Sequence, residues 1–193
     1  TALGFRYFKD KKCDFVVLET GMGGTLDATN IVKNTKLCVF TSISMDHMAM
    51  LGNTLEEIAS VKAGILKEGA FAVSAPQTDS VEAIIAKRCE LLKVPVRFVN
   101  KEEIKNKKAT LNGQRFSYRN NKDIKISMLG VFQVENAAVA LLALEAMKEL
   151  GIKLSEEKIR IAFERAAWSG RFEVLGRKPY VVMDGAHNED AVR

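Results

Sequence analysis

Long apolar runs are missing from this 193-residue sequence. None approaches the ~20 residues needed to cross a bilayer, so a membrane span is not expected. The opening, TALGFRYFKDKK, places its charges after its apolar residues, unlike a secretory signal peptide. Cysteine is scarce as well. Cys13, Cys38 and Cys89 are odd in number, far apart and set among apolar neighbours, a pattern that argues against disulfides and zinc. It suggests small buried side chains in a reducing compartment, hence a cytoplasmic protein. A basic block is also lacking. Lys and Arg outnumber Asp and Glu by 29 to 24, for a formal charge of +5 and a pI near 9.1. Such a weak excess attracts anions without direction. Lys101, Lys105, Lys107 and Lys108 are interrupted by Glu102, Glu103 and Asn106, which reads as a solvated face or loop and not as a nucleic-acid surface.

What is present suits a globular domain: 47% hydrophobic residues and 27% charged ones, enough to bury a core and too apolar for disorder. Residues 1–9 read as the end of a helix. DFVVLE (14–19) and KLCVFTSI (36–43) are nearly continuous apolar runs, as in parallel strands covered on both faces, and AFAVSA (70–75) and VPVRFV (94–99) repeat the pattern. Between them, Thr54–Lys67 and Ser80–Leu92 have helical spacing, with Thr54 as N-cap and Glu57 completing a capping box. Strand and helix therefore alternate, which predicts an α/β fold: a mostly parallel, doubly wound sheet flanked by helices, with ligands at the carboxyl ends of its strands. ATLNGQRFSY (109–118), with Asn112-Gly113 as the turn, and a third strand within residues 122–129 add a small antiparallel patch. Val134–Leu150 and Ser155–Ala167 read as helices, followed by a polar linker and a strand at PYVVMD (179–184). The expected organisation is a domain over 1–170, a linker at 171–178 and the start of a second α/β domain at 179–193.

Two stretches carry candidate chemistry. In LETGMGGTLDATN (18–30) a strand delivers Glu19 into a turn of Gly21, Gly23 and Gly24. Glycines there would let backbone N–H groups approach an anion or flat substrate, and Glu19 offers a hard oxygen suited to magnesium. In the second, a strand ending at Ser42–Ser44 is followed by Asp46-His47, and Lys62 lies further on along the predicted helix. Taken singly, a Gly-rich turn is usually just a turn, and a helical lysine usually faces water. The two histidines both follow a strand beside an aspartate: Asp46-His47, and Asp184 with His187 in DGAH.

Together these segments resemble the folylpolyglutamate synthase and dihydrofolate synthase family of the Mur ligase superfamily. The resemblance covers LETGMGGTLDATN, TSISMDH through LGNTLEEIASVKAGILKEG, GVFQVENAAVA (130–140), WSGRFEV (168–174) and DGAHN (184–188). It implies a Mur-ligase-like central ATPase domain in which ATP phosphorylates a substrate carboxylate and the amino group of L-glutamate attacks the acyl phosphate. Phosphoryl transfer between anions calls for metal and cationic side chains. The resemblance assigns Glu19, His47 and Lys62 to magnesium, Lys62 as a carbamylated lysine, and admits potassium as a further ion. It places Leu26, Asp27 and Ala28 against the pterin of folate or dihydropteroate. It gives Asn136, Arg171, Asp184 and His187 to ATP, with Arg171 on a hinge whose closure brings it to phosphate. The catalytic set it implies is Lys62, His47 and Arg171. It also implies a monomer.

Phe132 stands before Gln133 where the family commonly has histidine, and Ser169 where it commonly has proline. The sequence contains no G-x-x-x-x-G-K-[ST] phosphate loop, which the family carries upstream of the matching region, so this stretch by itself is expected to be inactive. Spacing alone leaves open a non-catalytic nucleotide- or folate-binding module, or a Mur-type ligase with another substrate.

Overall fold

The computed structural model describes residues 1–45 and 48–186. Two compact units emerge: Thr1–Cys38, Ile43–Ala72 and Gln77–Val96 form the first, and Val39–Ser42, Val73–Pro76 and Arg97–Arg193 the second.

The chain starts with α1 (Ala2–Asp10), and a 3-10 turn follows at Ala28–Ile31. Then come β1 (Leu37–Phe40), a short α2 (Met48–Leu51), α3 (Leu55–Lys62), β2 (Phe71–Ser74), α4 (Asp79–Leu91) and β3 (Val96–Phe98). The sheet order is β1-β2-β3. Its strands run parallel, because partner numbers rise together: Phe71 N donates to Lys36 O and Ala75 N to Phe40 O, while Ala72 N donates to Pro95 O and Val99 N to Ser74 O. β2 is buried at every residue, as its unbroken apolar run predicts. In the first unit Ile58, Ala59, Val81, Ile85 and Cys89 are buried, so α3 and α4 contribute the core of that unit. Each fully buried isoleucine there is worth roughly 1.5–3 kcal/mol of transfer free energy.

The capping box at α3 is real. Thr54 Oγ1 accepts from Glu57 N at 3.1 Å, and Glu57 Oε2 accepts from Asn53 N at 2.7 Å, one residue ahead of the cap itself. The predicted helix over 54–67 ends early, at Lys62, and gives way to a 3-10 turn, Ala63–Ile65. Residues 14–19, expected as a strand, are irregular, with Phe15 61%, Val16 41% and Val17 97% exposed. An apolar run becomes a strand only where a neighbour takes its N–H and C=O groups, and none does so among the described residues. Cys13, expected to be buried, is exposed, whereas Cys38 and Cys89 are buried as predicted.

The second unit contains the antiparallel meander β4 (Ile104–Thr110), β5 (Gly113–Tyr118) and β6 (Asn121–Ile126). β5 alternates cleanly, burying Gln114, Phe116 and Tyr118. The β4–β5 turn is Leu111-Asn112, one residue earlier than expected, since Thr110 pairs with Gly113. Thr110 supplies the reason: its Oγ1 accepts from Asn112 N at 3.2 Å and donates to Gly113 O at 3.2 Å. Gly113 is needed for close approach instead, because a β-carbon there would lie 2.6 Å from Ile126 O.

Gln114, buried, donates from Nε2 to Met128 O at 3.0 Å and Gly130 O at 2.8 Å. Gly130, at φ 101°, begins α5 (Val131–Glu149), which buries Val134, Ala138, Leu141, Leu142 and Ala146. α6 (Glu156–Arg165) is capped by Ser155 and tied to the meander by Arg160, which donates to Lys122 O and Asp123 O, and by the Lys125–Glu164 pair at 3.2 Å. The stretch expected as a polar linker contains β7 (Glu173–Arg177), which pairs antiparallel with β8 (Tyr180–Met183). Among the described residues no helix is long and apolar enough to cross a membrane.

Candidate active site

In the first unit the Gly-rich segment packs on the carboxyl end of α3. A helix leaves its last carbonyls without intrahelical partners, and here a loop takes one of them. Thr25 donates to Val61 O from its backbone N at 3.2 Å and from Oγ1 at 3.3 Å. Asn30 Nδ2 donates to Thr25 O and to Gly64 O, both at 3.1 Å. The glycines permit this approach. A β-carbon on Gly24 would fall 2.6 Å from Val61 O and 2.7 Å from Lys62 O, and one on Gly64 would overlap the Thr25 side chain. Gly23, at φ 70°, is buried against Leu51 and Val61. Gly23 and Gly24, expected from the sequence to allow close approach of a ligand, are closely approached here by the end of α3.

Asp27 sits at the centre of the loop. Its Oδ2 accepts from Met22 N at 2.9 Å, and its Oδ1 accepts from Thr29 N at 2.8 Å and Thr29 Oγ1 at 2.5 Å. The Thr29 hydroxyl and the backbone N–H groups hold its carboxyl below the usual carboxylate range. Asp27 also caps the Ala28–Ile31 turn. Leu26 beside it is 96% exposed, and Ala28 is exposed.

Glu19 is exposed, and Lys62 is half-buried as the last residue of α3. Neither side chain has a hydrogen bond or ion pair with another described residue. Asp46 and His47 lie outside the described residues. Glu19 is the hard-oxygen donor of the set, and Lys62 as an ammonium would repel a cation while its carbamate would bind one. Among the described residues no three His, Cys, Asp or Glu side chains gather in a group fit to hold a metal. The described donors fit magnesium only as part of a larger set.

In the second unit the WSGRF and DGA segments are bonded to each other. Asp184 Oδ2 accepts from Phe172 N at 2.7 Å, and its Oδ1 accepts from Ala186 N at 2.7 Å. Gly185 N donates to Gly170 O at 2.7 Å, and Glu173 Oε2 accepts from Gly170 N at 2.7 Å. Arg171 lies inside this knot with its side chain exposed, and Phe172 holds φ 48°, an unfavourable value for a bulky residue that the Asp184 bond secures. Asn136 is elsewhere in the unit, exposed on α5 with Nδ2 3.3 Å from Gln133 Oε1. His187 lies outside the described residues. The structure thus joins the turn that carries Arg171 to Asp184 through Phe172 N, and the Gly-rich segment to the end of α3. Sequence reasoning gave no role to Thr25, Asn30 and Gly64, although a glycine just past a helix end was a usable sign of close packing.

A family model described as the Mur ligase middle domain matches residues 2–144. The dihydrofolate synthase/folylpolyglutamate synthase of Bacillus subtilis is 41% identical, covering 100% of this chain and 46% of that protein. The folylpolyglutamate synthase of Lacticaseibacillus casei is 31% identical, again over 100% of this chain and 46% of its own length. Among solved structures, a complex of FPGS with AMPPCP and folate superposes with a TM-score of 0.92 at 29% identity, over 99% of this chain and 48% of that one. Folylpolyglutamate synthase from Thermotoga maritima gives 0.85 at 34% identity, over 98% of this chain and 44% of its own. The chain spans about half the length of the relatives it matches.

Proposed function

The chain belongs to the Mur ligase middle-domain family, and we propose that it is the central part of an ATP-dependent acid–amino acid ligase that joins L-glutamate to a folate or dihydropteroate carboxylate. Relatives named folylpolyglutamate synthase and dihydrofolate synthase, and the FPGS complex with AMPPCP and folate, support this choice of nucleotide and substrate.

One observation carries the reading furthest. Two stretches the reaction needs together, LETGMGGTLDATN and the end of the helix bearing Lys62, are joined through Thr25, Asn30 and Gly64 although far apart in sequence. Lys62 is half-buried and ends α3 with a side-chain amine that has no described partner. That amine adds to carbon dioxide, forming an N–C bond and releasing one proton, and the product is an anionic oxygen donor. With Glu19 and His47 it would hold magnesium, which when bound screens the charge between the nucleotide and the substrate carboxylate. Leu26, Asp27 and Ala28 form the stretch that meets the pterin. Arg171, presented by the Asp184 knot, reaches the phosphates, and Asn136, Asp184 and His187 serve the nucleotide. The working protein is a cytoplasmic monomer.

Full-length protein is expected to release ADP only when a folate or pteroate, glutamate and magnesium are all supplied. Lys62→Ala abolishes this, with partial rescue by short carboxylic acids. ADP release that ignores the folate, or full activity in Lys62→Ala, overturns the reading. The 193-residue stretch alone, which holds no phosphate loop, incorporates no glutamate.

A further inference from the structure

We propose that Asn112 and Arg177 form a latch by which the tip of the meander holds the β7–β8 hairpin, and with it the turn that carries Arg171, in a fixed position. Both are positioning residues. That the positioned group serves nucleotide phosphate rests on the ligase reading, and the latch itself rests on geometry.

Two paired strands by themselves are marginal in water, and here β8 is exposed at every residue, Tyr180 by 63%. Such a hairpin needs an outside hold to keep its place. One end of it is the Glu173–Met183 pair, which leads directly into Asp184 and the Arg171 turn. The other is the Arg177–Tyr180 pair, closed by Lys178-Pro179. From that end Arg177 Nη2 donates to Asn112 Oδ1 at 2.7 Å and, at the limit of a hydrogen bond, to Leu111 O at 3.5 Å. Strand residues advance about 3.3 Å each, so the latch sits about 13 Å along β7 from Glu173 and acts on the Arg171 turn through the paired strands.

Asn112 is prepared for this role. In sequence the Asn-Gly pair reads as the turn itself, with a left-handed backbone at the asparagine. In the fold the turn is Leu111-Asn112, held by Thr110 Oγ1 on Asn112 N at 3.2 Å, and Asn112 does not adopt a positive φ. Its exposed carboxamide points to another use, and Arg177, 65 positions further along the chain, takes it. A guanidinium presents its donors in a rigid planar fork, so a bond to it fixes direction as well as distance. The Asn-Gly motif therefore marks a long-range contact.

The experiment uses full-length ligase and reads amide hydrogen exchange across residues 173–183 together with separate KM values for ATP and folate. Arg177→Ala and Asn112→Ala are each expected to speed exchange there and to raise the ATP KM severalfold, with the folate KM and the melting temperature nearly unchanged. The double variant is no worse than either single one. Asn112→Asp turns the acceptor into a carboxylate, and bonds between guanidinium and carboxylate are shorter and stronger. It slows exchange below the wild-type rate, and the gain disappears at high salt or when Arg177→Ala is added. Unchanged exchange in Arg177→Ala overturns the inference. So do additive effects of the two alanine variants, faster exchange in Asn112→Asp, or an equal rise in both KM values, which would reduce the contact to a prop for stability. Exchange protection in α5 reports that each variant is folded. Wild-type protein without folate-dependent turnover would sink the ligase reading, while exchange in the hairpin would still decide the latch.

Discussion

The side-chain amide of Asn30 donates to the carbonyl of Gly64 at 3.1 Å, across 34 positions of sequence. This bond, with those of Thr25 to Val61 O, fastens the loop that carries Leu26 and Asp27 to the end of the helix that carries Lys62. Displacing either side disturbs the other.

Gly24→Ala tests that coupling directly. The new methyl would press on the Val61 and Lys62 carbonyls at 2.6 and 2.7 Å, and both are backbone atoms that cannot rotate away. Overpacking of this kind costs ~1–3 kcal/mol. Thermal unfolding of the full-length variant is expected to fall by several degrees, and its ligase activity by more than that loss of stability explains, since Lys62 shifts with its carbonyl. Wild-type melting and activity would show that the loop is not seated as described.

Asp184→Ala removes the acceptor for Phe172 N and Ala186 N at once. With Phe172 held at φ 48°, losing the Asp184 bond lets the turn relax and Arg171 swing. A raised KM for ATP with little change in the KM for folate is expected from steady-state kinetics. Equal effects on both substrates would argue that the knot serves stability alone.

The cysteines should separate by reactivity. Burial pushes the thiols of Cys38 and Cys89 up to about 11, while Cys13 is exposed. Thiol labelling of native protein at neutral pH, read by peptide mass mapping, is expected to modify Cys13 quickly and the other two only after unfolding. Rapid modification of Cys38 would contradict its place in β1.

Because the carboxyl of Asp27 is held below its ordinary value in the folded protein, the stability it contributes is fully present above the ordinary carboxylate range. It is lost as pH falls through the lowered value. Urea unfolding of wild type and Asp27→Asn across a pH series should show a gap near neutrality that closes in acid. A gap that widens in acid would reverse the sign assigned here.

Much of this arrangement was legible in the sequence, and the failures share a cause. The buried run of β2 and the Thr54–Glu57 cap are local patterns whose partners lie nearby, so they were found. DFVVLE was misread because apolarity says that a segment wants cover, not which segment covers it. The hairpin turn slipped by one residue because the Thr110 hydroxyl outweighed the Asn-Gly signal. The glycines at 23 and 24 marked a close approach without naming the neighbour, since a helix end and a ligand leave the same mark in sequence. Arg171 and Asp184 were chosen by resemblance, and the bond from Phe172 N that ties the Arg171 turn to Asp184 is a fact of three dimensions that spacing does not encode.

Gln114 holds the carbonyls of Met128 and Gly130 with a single amide, and Gly130 is where α5 begins. The antiparallel meander is thus the anchor post for the helix on which Asn136 rides. Substitutions scattered over those strands should surface as altered nucleotide handling, in a region where a survey of contacts to ligand would never look.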